Sequence, residues 1–255
     1  GGRPEPTSAV VEREPVIPPR MHGGLRAVVL YGGAARGVLA IHFATNGTLG
    51  VHTYELYYLD AGSHAAFGYV DFPPIVPLLA RLETGLLGIS PWNLRVLPTL
   101  IGAGMVILSG LYVRRLGGSL RIQALALLIA ATAPYFLGAN WVYQTVTFDE
   151  ATWMVSLYWF LCLIQEGRPR YWIFLGVSLG IALEVKFTVI ALIAVMVIAV
   201  LVTTSLRSQL RSQYPWLGAG VALRIWLPTL IWQISKGFPT LTYIATHGGG
   251  GGGGR

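Results

Sequence analysis

Charge, lysine and cysteine are all scarce in this chain of 255 residues. Asp, Glu, Lys and Arg together make up 11% of it, well below the share in a soluble domain, while hydrophobic residues make up 54%. There are two lysines, Lys186 and Lys236, beside sixteen arginines, so each lysine draws notice. The single cysteine, Cys162, lies in an apolar run. It excludes an intrachain disulfide framework and a cysteine-built metal site, and reads as a packing residue. No Gly-rich nucleotide loop follows a strand pattern and no HExxH occurs, which speaks against a soluble nucleotide-sugar transferase or a P-loop pump. The net charge of +7 does not indicate nucleic acid, because the basic residues sit between hydrophobic runs and form no continuous stripe.

What the chain has instead is apolar length. The runs Trp92 to Val113, Trp153 to Ile164, Tyr171 to Leu183 and Phe187 to Leu201 carry few or no charges. In lipid such runs satisfy their backbone groups as helices. The pattern predicts an all-α membrane protein, a polytopic bundle of about seven transmembrane helices near 26–44, 92–113, 122–138, 150–165, 171–185, 187–205 and 216–234. An outer-face loop over 45–91 is expected to carry one or two interfacial helices, broken and redirected by Pro73, Pro74 and Pro77. Residues 1–24, with five prolines and no apolar h-region, read as a disordered cytoplasmic tail and not a signal peptide. Residues 25–247 form the membrane domain, and 248–255 a Gly-rich tail.

Basic residues set the orientation. Arg114, Arg115 and Arg121 fall in one short connection, Arg168 and Arg170 in a second, Arg207 and Arg211 in a third. Alternating spans put all three on one side with the N-terminal tail, and the positive-inside rule makes that side cytoplasmic. The outer face then receives Glu55, Asp60, Asp71, Glu83, Asp149, Glu150, Glu184 and Lys186, while Glu166 maps inside. Arg36 and Arg224 fall within spans, where an unpaired arginine costs ~3 kcal/mol, so both are expected to face the bundle or a polar cavity.

The segment Tyr54 to Pro74, YELYYLDAGSHAAFGYVDFPP, places Glu55, Asp60, His64 and Asp71 beside the membrane, which marks it as a working site or a wet loop. Asp71 stands before two prolines that stiffen its backbone, though turn capping would also place an Asp there. Glu55 begins the interfacial helix, where a carboxylate also suits the positive helix end. Asp60 and His64 are spaced i, i+4 and read as a local pair, with no further histidine at ligand spacing to complete a metal site. Asp149 and Glu150 open a span and fit N-terminal capping. Lys186, in Leu-Glu-Val-Lys-Phe-Thr near the outer face, fits a phosphate ligand; the alternatives are an ion pair with Glu184 or snorkelling.

These residues resemble a known family. YELYYLDAGSHAAFGYVDFPPIVPLLARL, QTVTFDEATW, LEVKFTV and LPTLIWQISKGFPTL, from about Leu25 to His247, are similar to the polytopic glycosyltransferases of family 39. These include the protein-mannosyltransferase-like and aminoarabinose-transferase-like enzymes of the GT-C fold. The resemblance implies a membrane glycosyltransferase in a prokaryotic plasma membrane. Its donor would be a polyprenyl-phosphate sugar and its acceptor a protein, lipid or polysaccharide on the outer face, with inversion. Membrane lipid is the other expected partner, and nucleic acid is not one. No cofactor is firmly implied, and a divalent metal is left open. The family places an Asp-Glu pair at the start of the first outer loop; here it is Tyr54-Glu55, so the Asp regarded as catalytic is replaced. Asp71 matches the second acidic position, where some relatives follow with Lys and this chain has Phe72. Lys186 matches the lysine that meets the donor phosphate. The expected catalytic residues are therefore Asp71 and Glu55, with Lys186 on the phosphate and Tyr54, Asp60, His64 and Asp149 lining the site. Relatives continue beyond this point with further spans, so the chain reads as a C-terminally shortened member. An inactive binding or assembly subunit and a lipid or sugar transporter are the other classes.

Overall fold

A computed structural model describes residues 24–48 and 50–247; residues 1–23 and the glycine run lie outside the described residues. Helices account for all regular structure described. The bundle consists of α1 (Gly24–Thr45), α5 (Val96–Arg115), α6 (Leu120–Thr132), α8 (Thr145–Glu166), α9 (Arg170–Val185), α10 (Val189–Val202) and α12 (Tyr214–Ser235). Six of these follow expected spans, and α6 covers the first part of the seventh. Two helices occupy the long connection, α2 (Thr53–Ser63) and α3 (Ile75–Leu87); the shorter ones are α4 (Pro91–Leu94), α7 (Pro134–Ala139), α11 (Thr204–Gln209) and α13 (Pro239–His247). Gly24–Thr45, Pro91–Arg115 and Tyr214–Ser235 are each long and apolar enough to cross a bilayer. The 22 residues of α1 span roughly 33 Å, against a hydrocarbon core of ~30 Å.

Helix period explains the packing. Ala27, Tyr31, Ala35, Val38 and His42 form the buried stripe of α1, set against Ala103 and Val106 of α5 and Leu127 of α6. The Tyr31 hydroxyl donates to Gln123 Oε1 at 2.8 Å. α10 has no polar residue, and its exposed Val195, Val197, Ile198 and Leu201 suit lipid contact. The α9–α12 seam rests on small residues: a Cβ on Gly176 would collide with the Gly218 carbonyl, and one on Gly218 with the Trp172 carbonyl.

Three local expectations are corrected. Pro134 divides the span expected over 122–138 into α6 and α7, since it supplies no N–H to continue the ladder. Pro77 does not break a helix; it sits buried in the first turn of α3, where its missing N–H is an orphan anyway. Arg36 and Arg224 are exposed instead of facing the bundle. The 27–31–35–38–42 stripe turns Arg36 outward, and the Gly218–Ala222–Ile225 contact face does the same to Arg224.

The two ends of the bundle differ in charge. At one, Glu166 pairs with Arg115 and with Arg168 Nε (2.9 Å) and accepts from the Tyr171 hydroxyl (2.8 Å), tying α5, α8 and α9 together. The other end carries the remaining acids among the described residues, the α2–α3 loop and Lys186.

The seam gives a direct test. Gly218→Val is expected to destabilise the detergent-solubilised protein by ~1–3 kcal/mol or more through overpacking. Gly220→Ala, where a Cβ meets nothing within 4 Å, is expected to be neutral or stabilising by up to ~1 kcal/mol. Thermal unfolding measures both, and equal effects would contradict this packing.

Candidate active site

The α2–α3 loop and the start of α3 are braced by tyrosine hydroxyls from within the loop and from the turn before α8. The Tyr69 hydroxyl donates to the Ala61 carbonyl (2.6 Å) and the Tyr143 hydroxyl to the Val76 carbonyl (2.7 Å). Tyr58, Phe72, Val76, Tyr143, Phe148 and Val185 share one buried cluster. Phe72, Phe148 and Val185 immediately adjoin Asp71, Asp149 and Lys186 in sequence. The loop, the start of α8 and the end of α9 thus each send to one apolar cluster a residue that adjoins a polar one in sequence.

Asp71 is exposed, and the Tyr57 hydroxyl donates to its carboxylate (2.8 Å to Oδ2, 3.0 Å to Oδ1). Burial first, and then the carboxylate beside it, push the Tyr57 hydroxyl above its ordinary range, so it stays a donor. The carboxylate keeps free lone pairs toward solvent. Lys186 follows α9 with extended backbone, its side chain 35% exposed, and Nζ lies 3.7 Å from Asp149 Oδ2. Thr188 steadies Asp149 with a hydroxyl contact at 2.9 Å. Lys186 therefore pairs with Asp149, not with Glu184, whose Oε2 lies 2.6 Å from the Thr229 hydroxyl.

Glu55 occupies a different setting from the one its candidacy as a catalytic base requires. It is fully buried, and its two oxygens accept from Arg95 Nε (2.7 Å) and Nη2 (2.8 Å). It also accepts from the backbone N–H groups of His52 (2.7 Å) and Tyr143 (3.2 Å). Burial alone would raise its carboxyl, but the Arg95, His52 and Tyr143 hydrogen bonds outweigh it and hold the group below its ordinary range. Arg95 donates further to the carbonyls of Asn46 (2.6 Å) and Gly50 (2.8 Å). The arrangement is a clamp joining the end of α1, the start of α2, the start of α5 and the turn before α8.

Tyr54 is exposed, its ring stacked on His52 at 5.3 Å, and spacing puts it on the helix face of Tyr57 and Tyr58. Asp60 and His64 form an exposed local pair (3.8 Å). Among the described residues no three His, Cys, Asp or Glu side chains gather to hold a metal ion. Gly176-Val-Ser-Leu-Gly180 has the spacing of a nucleophile elbow, but it lies inside α9 with Ser178 buried against Ser156 (3.0 Å), so it is a packing motif. Arg95, Tyr57 and Tyr143 escaped sequence reading. The signal for Arg95 was its place at the start of an apolar run, where a buried arginine demands an acid.

Residues 71–232 match the family of dolichyl-phosphate-mannose-protein mannosyltransferases. The chain belongs to this family. Its members are integral membrane glycosyltransferases that use polyprenyl-phosphate sugar donors. The match begins at Asp71 and takes in Asp149 and Lys186, whereas α2 precedes it. No curated protein and no solved structure matches the chain.

One neighbouring acid gives a pH prediction. Glu83 of α3 is buried, and Oε1 accepts from the Leu97 N–H (2.7 Å) at the start of α5. Burial pushes its carboxyl up from 4.5 to about 7, against that hydrogen bond. Between these values the folded protein binds a proton that the unfolded chain lacks, so stability falls as pH rises through the window and levels off above it. Glu83→Gln is expected to flatten that slope in thermal unfolding measured across the window; an unchanged slope would contradict the assignment.

Proposed function

We propose that this chain transfers a sugar from a polyprenyl-phosphate donor to an acceptor hydroxyl, with the acidic end of the bundle on the outer face. What supports the proposal is that an exposed carboxylate, Asp71, and a part-exposed ammonium, Lys186, each adjoin in sequence a member of one buried cluster, in a family that performs this chemistry. Asp71, oriented by Tyr57, takes the proton from the acceptor hydroxyl as its oxygen bonds to the anomeric carbon. The bond from that carbon to the phosphate oxygen breaks, the electron pair leaves with the phosphate, and Lys186 offsets the growing charge. Attack opposite the leaving group inverts the anomeric centre. Asp149 keeps Lys186 in place, and Glu55 acts through the Arg95 clamp instead of on the acceptor.

The donor's tail needs an apolar berth. A cavity of about 470 Å³ between α9, α10 and α12, lined by Trp172, Leu183, Ile193, Leu201, Trp216 and Trp226, supports that role; it extends along the helices from the Trp216 end to Leu183, three residues before Lys186. The bundle orientation rests on the segregation of charge, with Arg115, Arg168 and Arg207 at the cytoplasmic end.

Membranes containing the protein, supplied with radiolabelled polyprenyl-phosphate mannose, test the proposal by release of free lipid phosphate. Asp71→Asn and Lys186→Ala are each expected to lower turnover by ~10²-fold or more, the range of a lost base or charge stabiliser. Insertion of both variants is expected to stay intact. Undiminished turnover in both would remove the mechanism.

The tyrosine at position 54 favours a second reading, a binding or assembly subunit without turnover. Tyr54→Asp discriminates: transfer that appears only in the variant supports the inactive subunit, whereas transfer by the parent chain excludes it.

A further inference from the structure

Glu184 lies two residues before Lys186, is 6% exposed, and has one hydrogen-bond partner among the described residues, Thr229 of α12. Thr229 Oγ1 lies 2.6 Å from Glu184 Oε2 and 3.0 Å from the Phe67 carbonyl oxygen. A hydroxyl carries a single hydrogen, and a backbone carbonyl only accepts. When that hydrogen goes to Phe67, the short contact to Glu184 needs a second one, which only the carboxyl can supply. We propose that Glu184 is held as a neutral carboxylic acid whose O–H donates to Thr229, which in turn donates to Phe67.

A second observation agrees. Glu184 Oε1 is buried with no partner. An ionised carboxylate would leave a charged oxygen unsolvated, while the carbonyl oxygen of a neutral acid bears a smaller desolvation penalty. Among the described residues no cation relieves it. Lys186 is paired with Asp149 of α8, and Arg224 of α12 and Arg81 of α3 are exposed. Glu83 of α3 accepts from Leu97, Glu150 of α8 has no ion pair or hydrogen bond to Glu184, and α10 carries no charged residue.

The relay joins Phe67, four residues before Asp71, to the end of α9 that carries Lys186. It makes Glu184 a positioning residue for the two groups that transfer requires, and this functional link rests on the glycosyltransferase reading. The protonation state does not. Ionisation would draw the Thr229 hydrogen back to the carboxylate and free the Phe67 carbonyl, loosening the loop.

Infrared spectroscopy of the purified protein in lipid nanodiscs at neutral pH tests the protonation state. A protonated-carboxyl stretch is expected in the parent, and in the parent-minus-variant difference spectrum Glu184→Gln is expected to remove one component of it, any contribution from Glu83 cancelling. In Thr229→Val the stretch should persist but shift to the position of a carboxyl with no acceptor, which keeps the test decisive if the first variant fails to insert. Loss of a carboxylate band in Glu184→Gln, or its spectrum matching the parent, would overturn the proposal, as would an unshifted band in Thr229→Val. Turnover is the separate readout. Glu184→Gln, whose amide donates to Thr229 as the acid does, is expected to stay within about twofold of the parent, and Glu184→Ala to fall about tenfold or more. Equal losses in both would remove the positioning role. An inactive parent would sink the transfer reading while leaving the spectroscopic result standing.

Discussion

The buried ion pair between Glu55 and Arg95 is the constraint on which the acidic end of this protein depends. Both side chains are withdrawn from water, at 0% and 2% exposure. Such a pair repays its desolvation only when the remaining donors and lone pairs also find partners. Here they do: Arg95 serves two Glu55 oxygens and the Asn46 and Gly50 carbonyls, and Glu55 takes two backbone N–H groups besides. Four chain segments are fixed by one interaction. The loop that carries Asp71 follows α2, whose first turn is held at that anchor.

The opposite end uses the same physics for a different result. Glu166 gathers Arg115, Arg168 and Tyr171 at the end where the short connections carry Arg114, Arg115, Arg121, Arg168, Arg170, Arg207 and Arg211. The two charged ends are separated by helices whose exposed residues are Val, Ile and Leu, a division that lipid imposes because unpaired charge within the hydrocarbon is costly. Arg36 and Arg224 break the pattern as exposed arginines near the middle of α1 and α12.

Much of this was legible in the sequence. The apolar runs gave all seven long helices, since their length and lack of charge leave few alternatives in lipid. The Tyr54 to Pro74 segment marked the connection that carries α2 because carboxylates beside a bilayer need a reason. Other features were not legible. In a membrane bundle the lipid-facing and partner-facing sides are both apolar, so Arg36 and Arg224 gave no sign of which way they point. Glu55 and Arg95 lie forty residues apart, and Asp149 and Lys186 thirty-seven apart. Their pairing follows from helix packing, which no local spacing encodes. Glu55 illustrates the consequence: a sequence match made it a candidate base, while its surroundings make it a structural anchor.

A double-mutant cycle on Glu55→Gln and Arg95→Gln, read by unfolding of the detergent-solubilised protein, tests this anchoring most directly. Removing one partner leaves a buried, uncompensated charge, so each single variant is predicted to lose ~3–5 kcal/mol. The double variant is predicted to lose no more than the worse single one, because the interaction is already gone. Losses that simply add would mean that the two side chains act independently, and would contradict the account.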